Sequence, residues 1–130
     1  LLEQQWTAGW KAAFDAMTSG APSTKRYVIG TSPIMPQDVP KCLALHSKSI
    51  QVCGINTLKS NYPSIIARDA KVAATSKATL ISVSQWFCQK NACPPIMDSV
   101  LIYVDVDHTT KTFVGELNAP WLTYLRSKGF

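Results

Sequence analysis

The sequence lacks an apolar run long enough to cross a membrane. None of its segments approaches the ~18 uninterrupted apolar residues of a membrane span. The opening Leu1-Leu2-Glu3-Gln4-Gln5-Trp6 has neither the basic start nor the apolar centre of a signal peptide. The chain begins abruptly, as if cut from a longer protein. With 130 residues, 46% of them hydrophobic and 16% charged, residues 1–130 are predicted to form a single domain or part of one.

A concentrated basic surface is also absent. The formal net charge is +5, which favours anionic surroundings such as nucleic acid, acidic envelope polymers or phospholipid headgroups. The 13 Lys and Arg residues are scattered, however, without a basic stripe or interleaved aromatic residues. Nucleic acid is therefore disfavoured as a partner.

The four cysteines lack the spacing of a zinc site. They form two close pairs, Cys42 with Cys53 and Cys88 with Cys93, separated by 11 and 5 positions. A tetrahedral zinc site usually has about two to four residues inside each pair, and the chain offers only His46 and His108 as further ligands. No metal site is predicted. Two local disulfides fit better, would stabilise the fold by roughly 2–3 kcal/mol each, and indicate an oxidising, extracytoplasmic compartment.

The candidate chemistry lies in Asp105-Val106-Asp107-His108, directly after the apolar run Val100–Val104. An Asp three residues before a His can reach back to the imidazole and hold it in one tautomer. It can also stabilise the imidazolium that forms when the His takes a proton from a serine hydroxyl. Asp105 and His108 are therefore the candidate catalytic pair, two members of a hydrolytic triad. The alternative is that they are surface residues capping a strand, with Asp107 serving solubility alone.

Hydrophobic spacing predicts helices alternating with strands. Trp6, Trp10, Ala13, Phe14 and Met17 recur at helical spacing and are interpreted as a core stripe. The first two strands, with a helix in the connection between them, argue for a right-handed crossover and parallel pairing, either adjacent or separated by one missing strand. Pro120 predicts a kink or restart near Asn118 in the last helix. The predicted elements are a helix over about residues 4–19, a strand Arg26–Gly30, a helix Pro63–Lys77, strands Thr79–Val83 and Val100–Val104, and a helix Lys111–Ser127.

Several short motifs occur together in this chain, and their combination is more specific than any one of them. In that combination they resemble the SGNH-type domain fused to the carboxyl end of bacterial type-3 membrane acyltransferases, which O-acetylate surface polysaccharides. The motifs are Phe87-Cys88, Cys93-Pro94, Tyr103-Val104-Asp105, Asp105 to His108 with Thr109-Thr110, and Ala119-Pro120, preceded by Trp6-Thr7-Ala8-Gly9, Ile29-Gly30-Thr31-Ser32-Pro33 and Pro40-Lys41-Cys42-Leu43.

The resemblance implies an α/β fold, an SGNH-hydrolase-like three-layer parallel sheet with flanking helices. It covers nearly the whole chain and identifies it as the C-terminal portion of such a domain, represented here by its later half. The first half should dock on apolar surface that this chain exposes. A fold that buries all of Trp6, Trp10, Phe14 and Trp121 would count against this interpretation.

The chain departs from the family pattern in two respects. Thr109 replaces the leucine that follows the histidine, and no Gly-Asp-Ser, the block that supplies the nucleophile, occurs in the 130 residues. Ser32 is rejected as an internal nucleophile because Pro33 after it has no N–H to donate to an oxyanion. His46 has no carboxylate at helical or strand spacing and is interpreted as a surface residue of the disulfide loop.

The resemblance implies an extracytoplasmic O-acyltransferase, an acetyltransferase, acting on cell-envelope glycans. A serine upstream of this chain would be the nucleophile, with His108 as base then acid and Asp105 orienting it. No cofactor is expected beyond an acyl donor, delivered by the membrane domain or as acyl-CoA. The expected partners are the N-terminal half of the SGNH domain, a membrane acyltransferase domain and a glycan acceptor. Missing upstream sequence would attach the chain to the outer face of the bacterial cytoplasmic membrane. The alternatives are a carbohydrate O-acyl esterase and a non-catalytic interaction module.

Overall fold

A computed structural model describes residues 2–130 of the chain. They divide into two compact units. The first comprises the residues up to Ser32 together with Ser60–Gln85, and the second comprises Pro33–Lys59 together with Trp86–Phe130. Within residues 2–130, no helix combines the length and the apolar character needed to cross a membrane.

Helices and short strands are mixed along the described chain, which confirms the α/β class. Two 3-10 turns, Ile50–Cys53 and Thr57–Lys59, flank the second strand. The elements in chain order are α1 (Leu2–Thr18), β1 (Tyr27–Ile29), α2 (Val39–Leu45), β2 (Ile55–Asn56), α3 (Tyr62–Thr75), β3 (Thr79–Ile81), α4 (Ser84–Phe87), β4 (Ala92–Cys93), β5 (Ile96–Met97), β6 (Val100–Leu101), α5 (Lys111–Glu116) and α6 (Asn118–Ser127).

The first unit contains a parallel pair of strands. β1 pairs with β3, with Val28 opposite Leu80. The Gly30 N–H extends the ladder by donating to the Ile81 carbonyl oxygen at 2.9 Å. Parallel strands need a long crossover connection, and α3 lies in it. The predicted parallel direction is confirmed, and the two strands are adjacent with no strand between them. Both are shorter than predicted, since β1 ends at Ile29 and β3 at Ile81.

The two long helices of this unit, α1 and α3, contact each other. Phe14 of α1 is buried, as are Ile65 and Val72 of α3. α3 has Pro63 in its first turn, where a proline costs no hydrogen bond. Both helices confirm the predicted ranges to within about two residues, the usual scatter of helix ends.

The tryptophans of α1 correct the core-stripe prediction. Trp6 and Trp10 are 49% and 40% exposed, and Met17 is exposed too, whereas Phe14 is 9% exposed. The prediction was wrong for these three residues and for the exposed Ala13, because the face of α1 that is buried carries Thr7, Phe14 and Thr18. The result agrees with the expectation that this chain exposes apolar surface. Complete burial of Trp6, Trp10, Phe14 and Trp121 would have counted against that expectation, and Trp6 and Trp10 are not buried.

The second unit carries both disulfides, Cys42–Cys53 and Cys88–Cys93, as predicted. β2 pairs antiparallel with β4, which places Ile55 opposite Cys93. Gly54 approaches this strand so closely that a Cβ there would lie 2.6 Å from the Cys93 carbonyl oxygen. The two disulfide loops therefore pack against each other, and only glycine fits at the crossing.

The core of this unit lies beneath the candidate site. The Phe87 ring packs against the rings of Phe113 and Tyr103, with centroids 5.1 and 6.1 Å away. Ile102 is buried beside Tyr103 in sequence. Thr110 caps α5, since its side-chain oxygen accepts a hydrogen bond from the Phe113 amide at 3.1 Å.

The predicted strand Val100–Val104 was wrong beyond Leu101. β6 pairs antiparallel with β5 through a two-residue turn, Asp98-Ser99, whose φ angles of 48° and 67° are typical of a type I′ hairpin. The Ile102 amide still donates to the Pro95 carbonyl oxygen at 3.0 Å in the same register, but Pro95 has no N–H to donate back, so the ladder ends there. The apolar run thus reflects burial of Ile102 and Tyr103 rather than a continuous strand.

The predicted break in the last helix is confirmed. α5 ends at Glu116 and α6 begins at Asn118. Pro120 consequently falls in the first turn of α6, where its missing N–H removes no helical hydrogen bond.

Candidate functional site

The Asp-x-x-His segment forms a tight loop between the buried Ile102-Tyr103 stretch and α5. Tyr103 and Thr109 form an antiparallel bridge across the base of the loop. The Val104 amide donates to the His108 carbonyl oxygen at 2.9 Å, and the Thr110 amide donates to the Ile102 carbonyl oxygen at 2.8 Å. These bonds hold the two ends of the loop side by side, so the residues between them can bend back on themselves.

The two carboxylate oxygens of Asp105 have different partners. Oδ1 accepts hydrogen bonds from the amides of Asp107 and His108, at 2.9 and 2.8 Å. Oδ2 lies 2.7 Å from Nδ1 of the His108 ring. A side chain that bonds to the backbone two residues further on is an Asx turn. That turn brings the carboxylate to the imidazole, so the predicted contact between Asp105 and His108 is present.

Asp107 also faces the histidine, which its sequence position alone did not reveal. Its Oδ1 lies 3.2 Å from His108 Nδ1. The interpretation of Asp107 as a solubilising surface residue is therefore incomplete, since the carboxylate adds negative charge at the same ring nitrogen. The only sequence signal was its position next to the histidine.

The two members of the pair shift each other's ionisation. Amide hydrogen bonds from His108 and then Asp107, with a smaller contribution from the His108 ring, lower the pKa of Asp105 to about 2. The hydrogen bond and then the charge of Asp105, followed by the charge of Asp107, raise the pKa of His108 above its ordinary 6.5.

These shifts define a pH window for the pair. The stabilisation that comes from the lowered Asp105 pKa is present above pH 3.8 and is lost as the pH falls through about 2. The stabilisation that comes from the raised His108 pKa is complete below pH 6.5 and is lost as the pH rises through the raised value. Between these limits the carboxylate and the imidazolium are charged together.

The geometry suits His108 to general acid–base chemistry. With Nδ1 facing the carboxylates, the neutral ring holds its proton on Nδ1 and its lone pair on Nε2. Nε2 is then the atom that can take a proton from a hydroxyl group, and Asp105 stabilises the resulting imidazolium. The His108 side chain is 75% exposed, so a reacting group can reach it.

The same loop is the one place in residues 2–130 where a metal ion could be held. Ligand atoms of Asp105, Asp107 and His108 lie within 4.8 Å of one another. A metal would have to replace the bond between Asp105 Oδ2 and His108 Nδ1, and Asp105 Oδ1 already accepts two amides. The hydrogen bonds present therefore fit an acid–base pair.

The other sequence candidates lie elsewhere in the two units. His46 is exposed and ends α2, with its amide bonded to the Cys42 carbonyl oxygen at 2.9 Å. It is a surface residue of the first disulfide loop, as predicted. Ser32 is partly exposed in the loop after β1. That loop is held by the buried Asp69, whose Oδ2 accepts from the Thr31 amide at 2.6 Å, a contact that sequence analysis did not identify.

Among solved structures, the chain is similar in fold to the periplasmic domain of the lipopolysaccharide acetyltransferase of Salmonella ser. Paratyphi A. The two share 11% sequence identity with a TM-score of 0.67, and the match covers 92% of this chain. It covers 50% of the other chain, so this chain spans about half the length of that domain. An SGNH-like acetyltransferase domain thus has the same fold over the part that corresponds to this chain.

No curated protein matches the chain in sequence. The family model described as "SGNH domain (fused to AT3 domains)" matches residues 3–122. Since that range includes both disulfides and the Asp105–His108 loop, the chain belongs to the family of SGNH domains fused to AT3 domains.

Proposed function

We propose that this chain supplies the acid–base half of an acyl-transfer site that modifies cell-envelope glycans. Family membership and the fold it shares with an acetyltransferase domain support an acyltransferase-like role. The finer proposal is a Ser-His-Asp mechanism in which His108 and Asp105 act together with a serine from sequence upstream of Leu1. The transferred group, an acetyl group in the simplest case, goes to a sugar hydroxyl.

The observation that carries this proposal is the 2.7 Å contact between Asp105 Oδ2 and His108 Nδ1 on an exposed loop. A carboxylate that only caps a strand does not need to bond to the imidazole. Asp105 bonds to Nδ1, which leaves Nε2 as the ring nitrogen that can react. Asp105 also binds the backbone of its own loop, so the imidazole is held by a group that is itself held in place. Such support of a catalytic group is what precise proton transfer requires.

The proposed reaction has two stages, each with a proton passing through His108 Nε2. In the first, Nε2 takes the serine proton as the serine oxygen bonds to the acyl carbon of the donor. The same proton then goes to the donor's leaving group, and the acyl group remains on the serine. In the second, Nε2 takes the proton of the acceptor hydroxyl, whose oxygen bonds to the acyl carbon. The proton returns to the serine oxygen as that bond breaks, which leaves the enzyme ready for another donor.

The proposed partners follow from family membership and from the length of the match. The family description names AT3 domains as fusion partners, so a membrane acyltransferase domain is the proposed source of the acyl group. The first half of the SGNH domain is the proposed source of the serine and of the oxyanion donors. The two disulfides favour an oxidising compartment, which supports a place outside the cytoplasm with attachment to the membrane through preceding sequence.

Substitutions in the full-length protein test this proposal. Asp105→Asn keeps the size of the side chain and should lower acyl transfer by roughly 10⁴-fold, the loss seen when the orienting Asp of a triad is changed. His108→Ala should be at least as damaging. Asp107→Asn, the matched control one residue before the histidine, should be mild because the closer carboxylate remains. Equal small losses from all three would contradict catalysis and favour a non-catalytic interaction module.

The choice between transferase and esterase needs a second measurement. The same enzyme is given an acyl donor with and without the glycan acceptor, and the products are quantified. A transferase should place most acyl groups on the acceptor, whereas an esterase should release them into water at the same rate in both conditions. The substituted residues should lower both reactions together, since water and a sugar hydroxyl pass their proton through the same nitrogen.

A further inference from the structure

The loop that carries the acid–base pair is held from outside by a segment far away in sequence. The Met35 amide donates to the Val106 carbonyl oxygen at 2.7 Å. The Val39 amide donates to the carbonyl oxygen of Asp105 itself, at 3.4 Å. These two backbone bonds act on consecutive residues of the loop, directly next to the carboxylate that holds His108.

The same segment lies in the interior, unlike the pair that it contacts. Met35 is 3% exposed and Val39 is fully buried. A loop that is largely exposed has few packing contacts to fix its position. Main-chain bonds to a buried segment provide that constraint, since buried chain moves little.

A disulfide anchors the segment in turn. Val39 is the first residue of α2, and the Asp38 side chain caps this helix by accepting from the Lys41 amide at 3.0 Å. One turn later the Cys42 amide donates to the Asp38 carbonyl oxygen at 3.0 Å. Cys42 is joined to Cys53, so the helix start that touches Asp105 is covalently tied to the rest of the unit.

The other side of the loop is tied into the same frame. Gly54, directly after Cys53, packs against the Cys93 carbonyl oxygen. Pro95, two residues further on, accepts from the Ile102 amide at 3.0 Å. The stretch that enters the loop therefore leads back to both disulfides.

From this arrangement we infer that Met35 and Val39 are positioning residues for the Asp105–His108 pair, and that the Cys42–Cys53 disulfide holds their segment in place. The inference rests on the proposed function of that pair. Neither residue touches the reacting atoms. Their role is to keep the loop backbone where the Asp105 carboxylate meets Nδ1, so that Nε2 stays aimed at the hydroxyl it deprotonates.

The test measures the pair directly, apart from catalysis. Diethyl pyrocarbonate acylates the neutral imidazole of histidine, so the pH dependence of His108 labelling in the full-length protein, read peptide by peptide, reports its protonation. His46 is the other histidine of the chain and serves as the internal reference. Asp105→Asn gives the labelling profile of a His108 that has lost its main partner.

Met35→Ala keeps the amide but removes the buried side chain that fixes its position, so it should move the His108 profile from the wild-type position toward that of Asp105→Asn and leave the His46 profile unchanged. Hydrolysis of 4-nitrophenyl acetate should fall in kcat by roughly tenfold or more, in line with the cost of misplacing a catalytic group, with little change in KM. Met35→Leu nearly keeps the buried volume that Met35→Ala loses, and it should restore both readouts.

Val39→Pro covers the case in which Met35→Ala fails to fold. It removes the amide that bonds to Asp105, at the first helical position, where proline is accepted. Asp38 already has φ −55° and ψ 115°, which suits a residue before proline. A shift of the His108 profile in this variant would support the inference, and a wild-type profile in either folded variant would overturn it. Full activity of His108→Ala would instead refute the proposed function, and the labelling profiles would still decide whether Met35 and Val39 position the pair.

Discussion

Removing the Cys42–Cys53 disulfide should destabilise the protein more than removing Cys88–Cys93. The perturbation is a pair of double substitutions, Cys42→Ala with Cys53→Ala, and Cys88→Ala with Cys93→Ala. Both bridges lie in the second unit, and each can be removed without adding charge or bulk. The comparison therefore isolates the length of the closed loop and the burial of the sulfur atoms.

The magnitudes follow from loop length. The sequence separations are 11 and 5 residues. In the chain-entropy model, loops of this size give about 2.8 and about 2.1 kcal/mol of stabilisation. Cys42 and Cys53 are both buried, whereas only Cys93 of the other bridge is, so alanines leave more unfilled space at the first bridge and increase its loss further. A total near 3–4 kcal/mol is a large part of the roughly 5–15 kcal/mol that stabilises a typical domain.

Pulse proteolysis in urea measures the free energy of unfolding within the full-length protein. The first double variant should lose the larger amount, and the second should lose about 2 kcal/mol. A loss below about 1 kcal/mol for Cys42 and Cys53, or the reverse order, would refute the reasoning that this bridge locks the start of α2.

Three further predictions follow from single contacts. Because carboxylates raise the pKa of His108 above 6.5, kcat/KM should decline as the pH falls through that raised value. Asp105→Asn should move this decline to lower pH, and an unchanged pH profile would assign the decline to another group. Phe113→Ala should lower the free energy of unfolding by roughly 3–5 kcal/mol, measured by urea denaturation, since the ring is buried against Phe87; a loss under about 1 kcal/mol would show that this cluster is not core. Gly54→Ala should cost about 1–3 kcal/mol in the same assay because its Cβ would meet the Cys93 carbonyl oxygen at 2.6 Å, and a neutral effect would mean that the two disulfide loops can separate.

Local sequence signals predicted the elements that local physics determines. Helical spacing of apolar residues located α1 and α3, and Pro120 located the break between α5 and α6. Short cysteine spacing predicted both disulfides, since a chain that must turn within a few residues brings its ends together. The contact between Asp105 and His108 was predictable for the same reason: three residues are enough for a side chain to reach back.

Features that depend on distant residues were not predictable in this way. The run Val100–Val104 looks like a strand, but its ladder stops after Leu101 because Pro95, opposite Ile102, has no N–H to donate back. The hairpin turn uses Asp98-Ser99, a weaker signal than Asn-Gly or Asp-Gly. Met35 and Val39 act through backbone amides, and an amide leaves no mark in the residue type that carries it. The exposure of Trp6 and Trp10 depends on what packs against α1, which helical spacing does not encode.

The central claim is that His108 moves the proton that activates a serine nucleophile. The most direct measurement mixes the full-length enzyme with excess acyl donor, quenches the mixture, and follows the covalent acyl-enzyme by peptide mass spectrometry. The wild-type protein should acylate rapidly at one serine in the sequence preceding this chain. His108→Ala should form the same adduct at least roughly 10³-fold more slowly, because the serine has lost its base. Acylation of His108→Ala at the wild-type rate, or an adduct on Ser32, would contradict the account.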